Sequence, residues 1–542
     1  MGGFYLFSID IAAHTLLRGY DQWYPAGAPW CGDVTEKIHW ADVCAGEVPG
    51  DMVHRVATGI TPSGPIHIGN MREVLTGDMV YKALRDRGVQ AELLYVADDF
   101  DPLRKVYPFL PESYAEYVGQ PISDIPCPCG EHESYAAHFL APFLSALKEL
   151  DIAPRVVFAR KEYRAGAYTR EIAAALLHTA EIRRILERVS GRTMPADWSP
   201  FYPVCSVCKK ISQARILDHH EASHTVRYRC SCGNEGTADY AKGEGKLVWR
   251  VDWPMRWAHF GITIEPFGKD HATAGGSFDT GKEIVRKVYH RDPPHPVVYE
   301  WISLKGRGAM HSSKGVVVTI NEMLEIVPPD VLRYLIARSK PEKAIDFDPG
   351  MGLTSLIDEY DRVSHEGTSR EFQLSRIASV PTRIPFRHMV TVVQVARDDR
   401  GLFQCLARSG YDISRTDDIL AQAGRVRAWL RKYAPDQVKF SVKNEFTNQM
   451  KEHIVHLPQK HLDAMTKYTE FLERMNTWTA EALHNGVYEV AKAENVDPKV
   501  IFENVYMAFL GQHRGPRLGW FLEALDRNFV LQRLKSMGSC RV

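Results

Sequence analysis

Three stretches of the chain carry residue types at spacings that suit chemistry. The first is Thr61-Pro-Ser-Gly-Pro-Ile-His67-Ile-Gly69-Asn70. It lies between HRVATG, which reads as a strand, and MREVLTGDMVYKALRDRG, a helical pattern that Gly88 would stop. Gly59, Gly64 and Gly69 let backbone approach a ligand, and His67 stands just ahead of a helix N-terminus, where unpaired N–H groups favour phosphate. The second stretch is Met310-His-Ser-Ser-Lys314-Gly315, 243 residues beyond His67 counted from Met310. A lysine among small polar residues, flanked by Gly306, Gly308 and Gly315, suits a clamp on the β- and γ-phosphates of ATP. Alone, the first reads as a structural histidine and the second as a serine-rich turn; in this order, with a long insertion between them, they are hard to explain by accident. The third is Cys205-x-x-Cys208 followed by Cys230-x-Cys232. Two thiolate pairs so spaced close a four-coordinate Zn²⁺ site with no open position, hence a structural one.

These residues need a frame. Strand, glycine loop, helix and the following strand AELLYVADD form a parallel βαβ unit, which places ligands at the carboxyl ends of strands in a doubly wound sheet. The expected architecture is an α/β, Rossmann-type catalytic domain (51–106 and 246–330). A zinc-binding insertion (107–245) interrupts it, an extension (1–50) precedes it, and a connecting segment (331–360) leads to an all-α domain (361–542). Beta-type sequence is expected at KLVWRVDWP and PHPVVYEWISL, and mostly helix after Pro328. At 542 residues the chain is too long for one core. Lys plus Arg and Asp plus Glu both total 67, which argues against a generic basic coat for nucleic acid. No apolar run is long enough to span a membrane. Six of the ten cysteines cluster between Cys127 and Cys232, which suggests metal in a reducing cytosol. The first twenty-odd residues lack a positive leader and do not read as a targeting sequence.

His-Ile-Gly-Asn resembles the HIGH signature of class I aminoacyl-tRNA synthetases, and Met-His-Ser-Ser-Lys their KMSKS loop. The surrounding stretches resemble the class I lysyl-tRNA synthetases: ATGITPSGPIHIGN, VADDFDPLRKVYPFLP, HESYAAHF, LVWRVDWPMRW, GKDHATAGGS and VLRYLIARSKPEKAIDFDPG. His311 departs from the pattern, standing where a small residue is usual.

The resemblance implies ATP-dependent activation of L-lysine and transfer to tRNA(Lys) in the cytoplasm, with Mg²⁺ sharing the phosphate charge. It implies an ATP site of Pro62, Gly64, His67, Gly69, Asn70, Met310, Ser312, Ser313 and Lys314, of which His67, Asn70 and Lys314 are catalytic. Lysine would meet Gly59 and Thr61 and be enclosed by Trp249, Asp252, Trp253, Asp270, His271 and Tyr299; aromatic faces and carboxylates suit an ammonium. Which carboxylate reads it stays open among Asp98, Asp99, Asp252 and Asp270. A second zinc site is implied at Cys127, Glu131, His132 and His138. There the family's usual second cysteine is Glu131, and Cys129 is an extra thiol; either could complete the set. An anticodon-binding helical domain is implied at the C-terminus, where Arg514, Arg517 and Trp520 could meet phosphates and unstacked bases. The alternatives are a class I synthetase for arginine or glutamate, or a non-catalytic tRNA-binding paralogue.

Overall fold

The structure is a computed structural model that describes residues 38–211, 213–305, 318–378, 382 and 384–539, with backbone alone at 308, 309 and 539. The extension before residue 38 and the Met310–Lys314 stretch lie outside the described residues.

A short helix α1 (Trp40–Gly46) leads into β1 (His54–Ile60), α2 (Ile68–Asp86) and β2 (Ala91–Ala97), the expected βαβ unit. Gly88 takes a positive φ of 77° just past the end of α2, as a helix stop requires. Helix α3 (Tyr135–Glu149) and β3 (Arg155–Phe158) follow, then helices α4 (Thr169–Leu177) and α5 (Thr179–Ser190). Six further segments complete the central part of the chain: β4 (Phe201–Pro203), β5 (Ala214–His220), β6 (Thr225–Cys230), β7 (Glu235–Asp239), β8 (Gly245–Leu247) and α6 (Trp249–Phe260). The chain then returns through β9 (Ile264–Gly268), α7 (Ser277–Val288) and β10 (His295–Tyr299).

The main sheet is five-stranded and parallel throughout, in the order β10-β9-β1-β2-β3. Its edge strand β3 comes from within the stretch read as an insertion; four residues beginning with an exposed arginine are too short a signal to have been seen. A second correction is WRVDWPMRW, which is helix rather than strand. Its Trp and Val content reads as β, but Pro254 falls inside α6, whose far end is closed by Gly261 in the left-handed region. The antiparallel sheet β5-β6-β7 carries two of the four clustered cysteines on or next to β6, within a second apolar core that it shares with α6 and α7.

Beyond β10 come β11 (Ile302–Leu304) and β12 (Gly308–Ala309), then α8 (Ile320–Leu324), α9 (Pro329–Ala337) and β13 (Ile345–Phe347), which pairs in parallel with β11. The rest is helical, starting with α10 (Met351–Glu366). The core of the main sheet does not stop there. It continues through Leu353, Leu356, Leu402 and Trp429 to Ala434 and takes in Ala524, while other buried apolar residues between Ile454 and Met537 form a separate cluster.

Candidate active site and metal centres

The sequence-expected ligand residues of the catalytic part that fall among the described residues lie at or beyond the carboxyl ends of β1, β2, β9 and β10, or on α6. His67 is the N-cap of α2. Its Nδ1 accepts from the Gly69 N–H at 3.0 Å, and Asn70 Oδ1 accepts from the His67 N–H at 3.3 Å. This reciprocal cap explains three residues of the signature together. A Cβ at Gly69 would come within 2.8 Å of the folded-back ring of His67, so another residue there would push the ring out of this cap. With Nδ1 accepting, the neutral imidazole carries its proton on Nε2. Upstream, Tyr135 on α3 donates to the Ser63 carbonyl at 2.7 Å and steadies the glycine loop.

The stretch leading to the second signature lies beyond the described residues, but its far root does not. His67 pairs as an isolated antiparallel bridge with Thr319, and the Ile320 N–H donates to the Ile66 carbonyl at 3.1 Å. Thr319 caps α8 in a capping box with Glu322. The root of the Lys314 segment is thus bonded to the loop that carries His67.

Near the carboxyl ends of β1 and β10 stands a residue that sequence reasoning missed. Glu73, on the second turn of α2, accepts from the Gly59 N–H at 2.7 Å and from the Tyr299 hydroxyl at 2.8 Å. Burial pushes its carboxyl up to about 7 against the opposing effect of those two hydrogen bonds. No cation among the described residues is ion-paired to it. Beside it Trp249 and Trp253 stack at 5.2 Å between ring centroids, and His271 lies 5.4 Å from Trp253 and bonds Ser277 Oγ at 2.8 Å. Burial lowers the His271 pKa, which favours the neutral ring. Glu265 holds this wall from behind, accepting from Trp253 Nε1 at 2.9 Å and from Trp257 Nε1.

The expected carboxylates sort clearly. Asp252 is fully buried and committed to Arg256, with Tyr163 donating to it at 2.5 Å, so it does not face the pocket. Asp98 binds Lys246 Nζ at 2.7 Å and Arg256 at 2.9 Å; burial raises its pKa, yet the two cations override that and hold it far below the usual range. Lys246 also binds Asp101 Oδ1 at 2.5 Å, and the other oxygen of Asp101 accepts from Thr61 Oγ1 at 3.3 Å. Asp99 caps the Arg160 N–H at 2.8 Å, and burial moves its pKa up to about 6. Asp270 is exposed on a short turn. Among the described residues Glu73 has no cation partner, and unlike Glu265, which two indole N–H groups engage, it is bonded only to the Gly59 N–H and the Tyr299 hydroxyl.

Both cysteine clusters have the dimensions of a zinc tetrahedron, whose edges are about 3.8 Å between sulfurs and about 3.5 Å between sulfur and nitrogen. Cys205–Cys232 and Cys208–Cys230 stand at 3.7 and 3.6 Å, and the Asn234 amide donates to Cys205 Sγ at 3.5 Å. In the other cluster, Cys127 lies 3.5 Å from His132 Nδ1 and 3.6 Å from His138 Nδ1, and Cys129 lies 3.4 and 3.3 Å from the same atoms. Cys129, not Glu131, completes this set; Glu131 is exposed outside it. A tight turn brings the Cys127 and Cys129 sulfurs to 3.2 Å, closer than the edge of about 3.8 Å in a filled zinc site.

Of the C-terminal candidates, Arg514 lines an open groove of about 540 Å³ with Tyr488, Phe502 and His513. Arg517 lies over the Trp520 ring at 5.5 Å, and Trp520 packs against buried His388.

A parallel sheet whose first βα turn is capped by His67, bonded to the root of a distant lysine-bearing segment and followed by a helical domain, defines a class I aminoacyl-tRNA synthetase. The model of the tRNA synthetases class I (K) matches residues 38–379, and that of the anticodon binding domain residues 421–537. A lysine–tRNA ligase of Methanosarcina acetivorans is 49% identical over 92% of this chain and 98% of its own length. One from Methanosarcina barkeri is 47% identical over 93% and 98%, and one from Archaeoglobus fulgidus 43% over 92% and 100%. The chain belongs to the class I (K) tRNA synthetases, and its function is that of a class I lysyl-tRNA synthetase, a ligase.

Proposed function

We propose that the chain activates L-lysine with ATP in the pocket between β1, α6, β9 and β10 and transfers it to tRNA(Lys), with the residue roles given below. The observation that carries this reading is the bonding of Ile66 and His67 to Thr319 and Ile320 beside the Glu73–Tyr299 pair. It ties the loop that carries His67 to the residues that follow Lys314 in sequence, and it stands with a carboxylate that no described cation pairs with.

In this reading ATP lies over the first βα turn. Pro62, Gly64 and Gly69 give it a close backbone surface, His67 Nε2–H and the N-terminus of α2 face its phosphates, and Asn70 keeps His67 in place. Lys314, with Met310, Ser312 and Ser313, approaches the β- and γ-phosphates; this role rests on sequence alone. Lysine is held by Gly59 and Thr61 at its α-carbon end and by Trp249, Trp253, His271 and Tyr299 along its stem, and Glu73 takes the ε-ammonium. A lysine carboxylate oxygen attacks the α-phosphorus, the bond to the β-phosphate bridging oxygen breaks, and pyrophosphate leaves. Mg²⁺, when bound, would add charge neutralisation on the phosphates. The 2′-hydroxyl of the terminal adenosine then attacks the lysyl carbonyl and AMP departs. Positioning and charge stabilisation supply most of the catalysis.

Zinc fits Cys205, Cys208, Cys230 and Cys232, and Cys127, Cys129, His132 and His138, as a structural ion in each. All eight described cysteines are free of disulfides, in keeping with a reducing cytoplasm. No described helix is long and apolar enough to cross a membrane. ATP–pyrophosphate exchange across the twenty amino acids tests the reading. Lysine alone should support exchange. Arginine or glutamate in its place, or no exchange at all, would refute it.

A further inference from the structure

The residue before Glu73 has no role in the mechanism above, yet its surroundings are unusual. Arg72 is buried to 1% exposure on α2, five residues past the His67 cap. Among the described residues its guanidinium pairs with no carboxylate; it is surrounded by backbone carbonyls from two separate stretches. Nη1 donates to the carbonyls of Glu300 and Trp301, the latter at 3.1 Å. Nη2 donates to those of Pro341 at 3.0 Å and Lys343 at 2.7 Å, with Lys340 at 3.4 Å. The guanidinium also lies 6.0 Å from the centroid of the Tyr299 ring. Burial draws its pKa down to about 10, a cost that a purely apolar side chain would avoid.

Those two stretches matter because of what they adjoin. Glu300 and Trp301 directly follow Tyr299, the pocket wall, and directly precede β11. Residues 340–343 directly precede β13, the strand that pairs with β11, and the Ile345 N–H donates to the same Trp301 carbonyl at 3.0 Å. Two consecutive residues of α2 therefore grip one segment from both sides. Glu73 holds the Tyr299 hydroxyl, and Arg72 holds the ring face and the backbone just beyond it.

We propose that Arg72 is a positioning residue for amino-acid binding. It fixes Tyr299, and with it the Tyr299–Glu73 hydrogen bond, against the helix that His67 begins. The proposal rests on the lysine pocket of the preceding subsection. It demands a planar fork, since two nitrogens at a fixed separation serve the two stretches, and a single ammonium cannot reach both.

The test is steady-state ATP–pyrophosphate exchange by the full-length enzyme with R72K and R72A, alongside thermal melting. R72K should raise the KM for lysine about tenfold while the KM for ATP stays within about twofold, because the ATP-facing cap at His67 and Asn70 is untouched. R72A should raise it further, and low-millimolar guanidinium chloride should restore part of the loss where methylammonium chloride does not. If R72A fails to fold, R72K still decides. A folded R72K with the wild-type KM for lysine, or one that raises both KM values equally, overturns the proposal. So does rescue of R72A by both ions alike. A wild-type enzyme that exchanges no pyrophosphate with lysine would overturn the pocket reading as well, whereas normal wild-type exchange with a normal R72K overturns Arg72 alone.

Discussion

Replacing Glu73 by Gln isolates the charge that the pocket offers to lysine. Gln keeps the shape and can still accept from the Gly59 N–H, so the pocket stays closed while the charge is lost. A hydrogen bond between charged partners contributes about 1.5–3 kcal/mol. The kcat/KM for lysine should therefore fall about 10- to 150-fold, with the KM for ATP changed less than about twofold. The pH dependence follows from the raised carboxyl. The ε-ammonium needs the carboxylate form, and burial places that ionisation at about 7. The wild-type kcat/KM for lysine should rise with pH up to about 7 and then level, and the variant should lose that rise. Stability runs the other way. The folded state holds a proton that the unfolded chain releases at 4.5, so stability falls as pH climbs from about 4.5 to about 7. Full shielding would make that loss about 3 kcal/mol. Glu73 opens on the pocket, so about 1–2 kcal/mol is expected, and the variant should melt higher than wild type at pH 8 by that margin. Exchange kinetics from pH 5.5 to 8.5 and paired thermal melts provide the measurement. An unchanged lysine kcat/KM with an identical pH profile in both proteins would refute the assignment.

Lys314→Ala should slow single-turnover adenylate formation by about 10²-fold or more, on the order of 3 kcal/mol, and leave lysine affinity nearly intact; an unchanged rate would remove the residue from the ATP site. His67→Ala should behave similarly, with a further stability loss of about 1 kcal/mol from the missing cap. Elemental analysis should find two zinc equivalents, of which Cys205→Ser and Cys129→Ser each release one and Glu131→Ala releases none; zinc-free active protein would count against both centres. Removal of everything after Ala434 should spare exchange with lysine and abolish tRNA charging, whereas retained charging would mean that the terminal helices do not read tRNA. A cut near Gly350 is the wrong experiment, because Leu353, Leu356 and Trp429 belong to the core of the catalytic sheet, and Trp429 Nε1 donates to the Pro349 carbonyl at 2.9 Å.

What the sequence made legible were the features with local signatures. The βαβ unit shows through its periodicity, the cap through its glycine and histidine, and the clustering of Cys205, Cys208, Cys230 and Cys232 through their spacing. Other features depend on partners far along the chain. Glu73 is one polar residue in a helix, and only Tyr299, 226 positions away, gives it meaning. Lys246 sits in an apolar stretch and could have hinted at a buried ion cluster, but nothing local names Asp98, Asp101 and Arg256 as its company. Trp249 and Trp253, which the resemblance implies for the lysine pocket, stack on each other. Asp252, implied with them, is instead buried against Arg256, because neighbouring helix positions face different surroundings. The choice between Cys129 and Glu131 turned on a turn geometry that spacing does not encode.

The pairing of β1 with its neighbours also bears on how the enzyme comes into being. β2 joins β1 across a short crossover, but β9 joins it only where Val56 meets Ile264, and His67 meets Thr319 later still. Closing such long loops is slow relative to forming local contacts. The intervening segment has its own metal-sized thiolate set, but its apolar cluster also draws on Phe100 before it and on Val251, Met255, Ile284 and Val288 after it, so that core closes only once α7 has followed. On the ribosome the lysine pocket is then the last part of the catalytic sheet to assemble, since Tyr299 must emerge before Glu73 has a partner. Recovery of activity after denaturation should trail the return of helical signal.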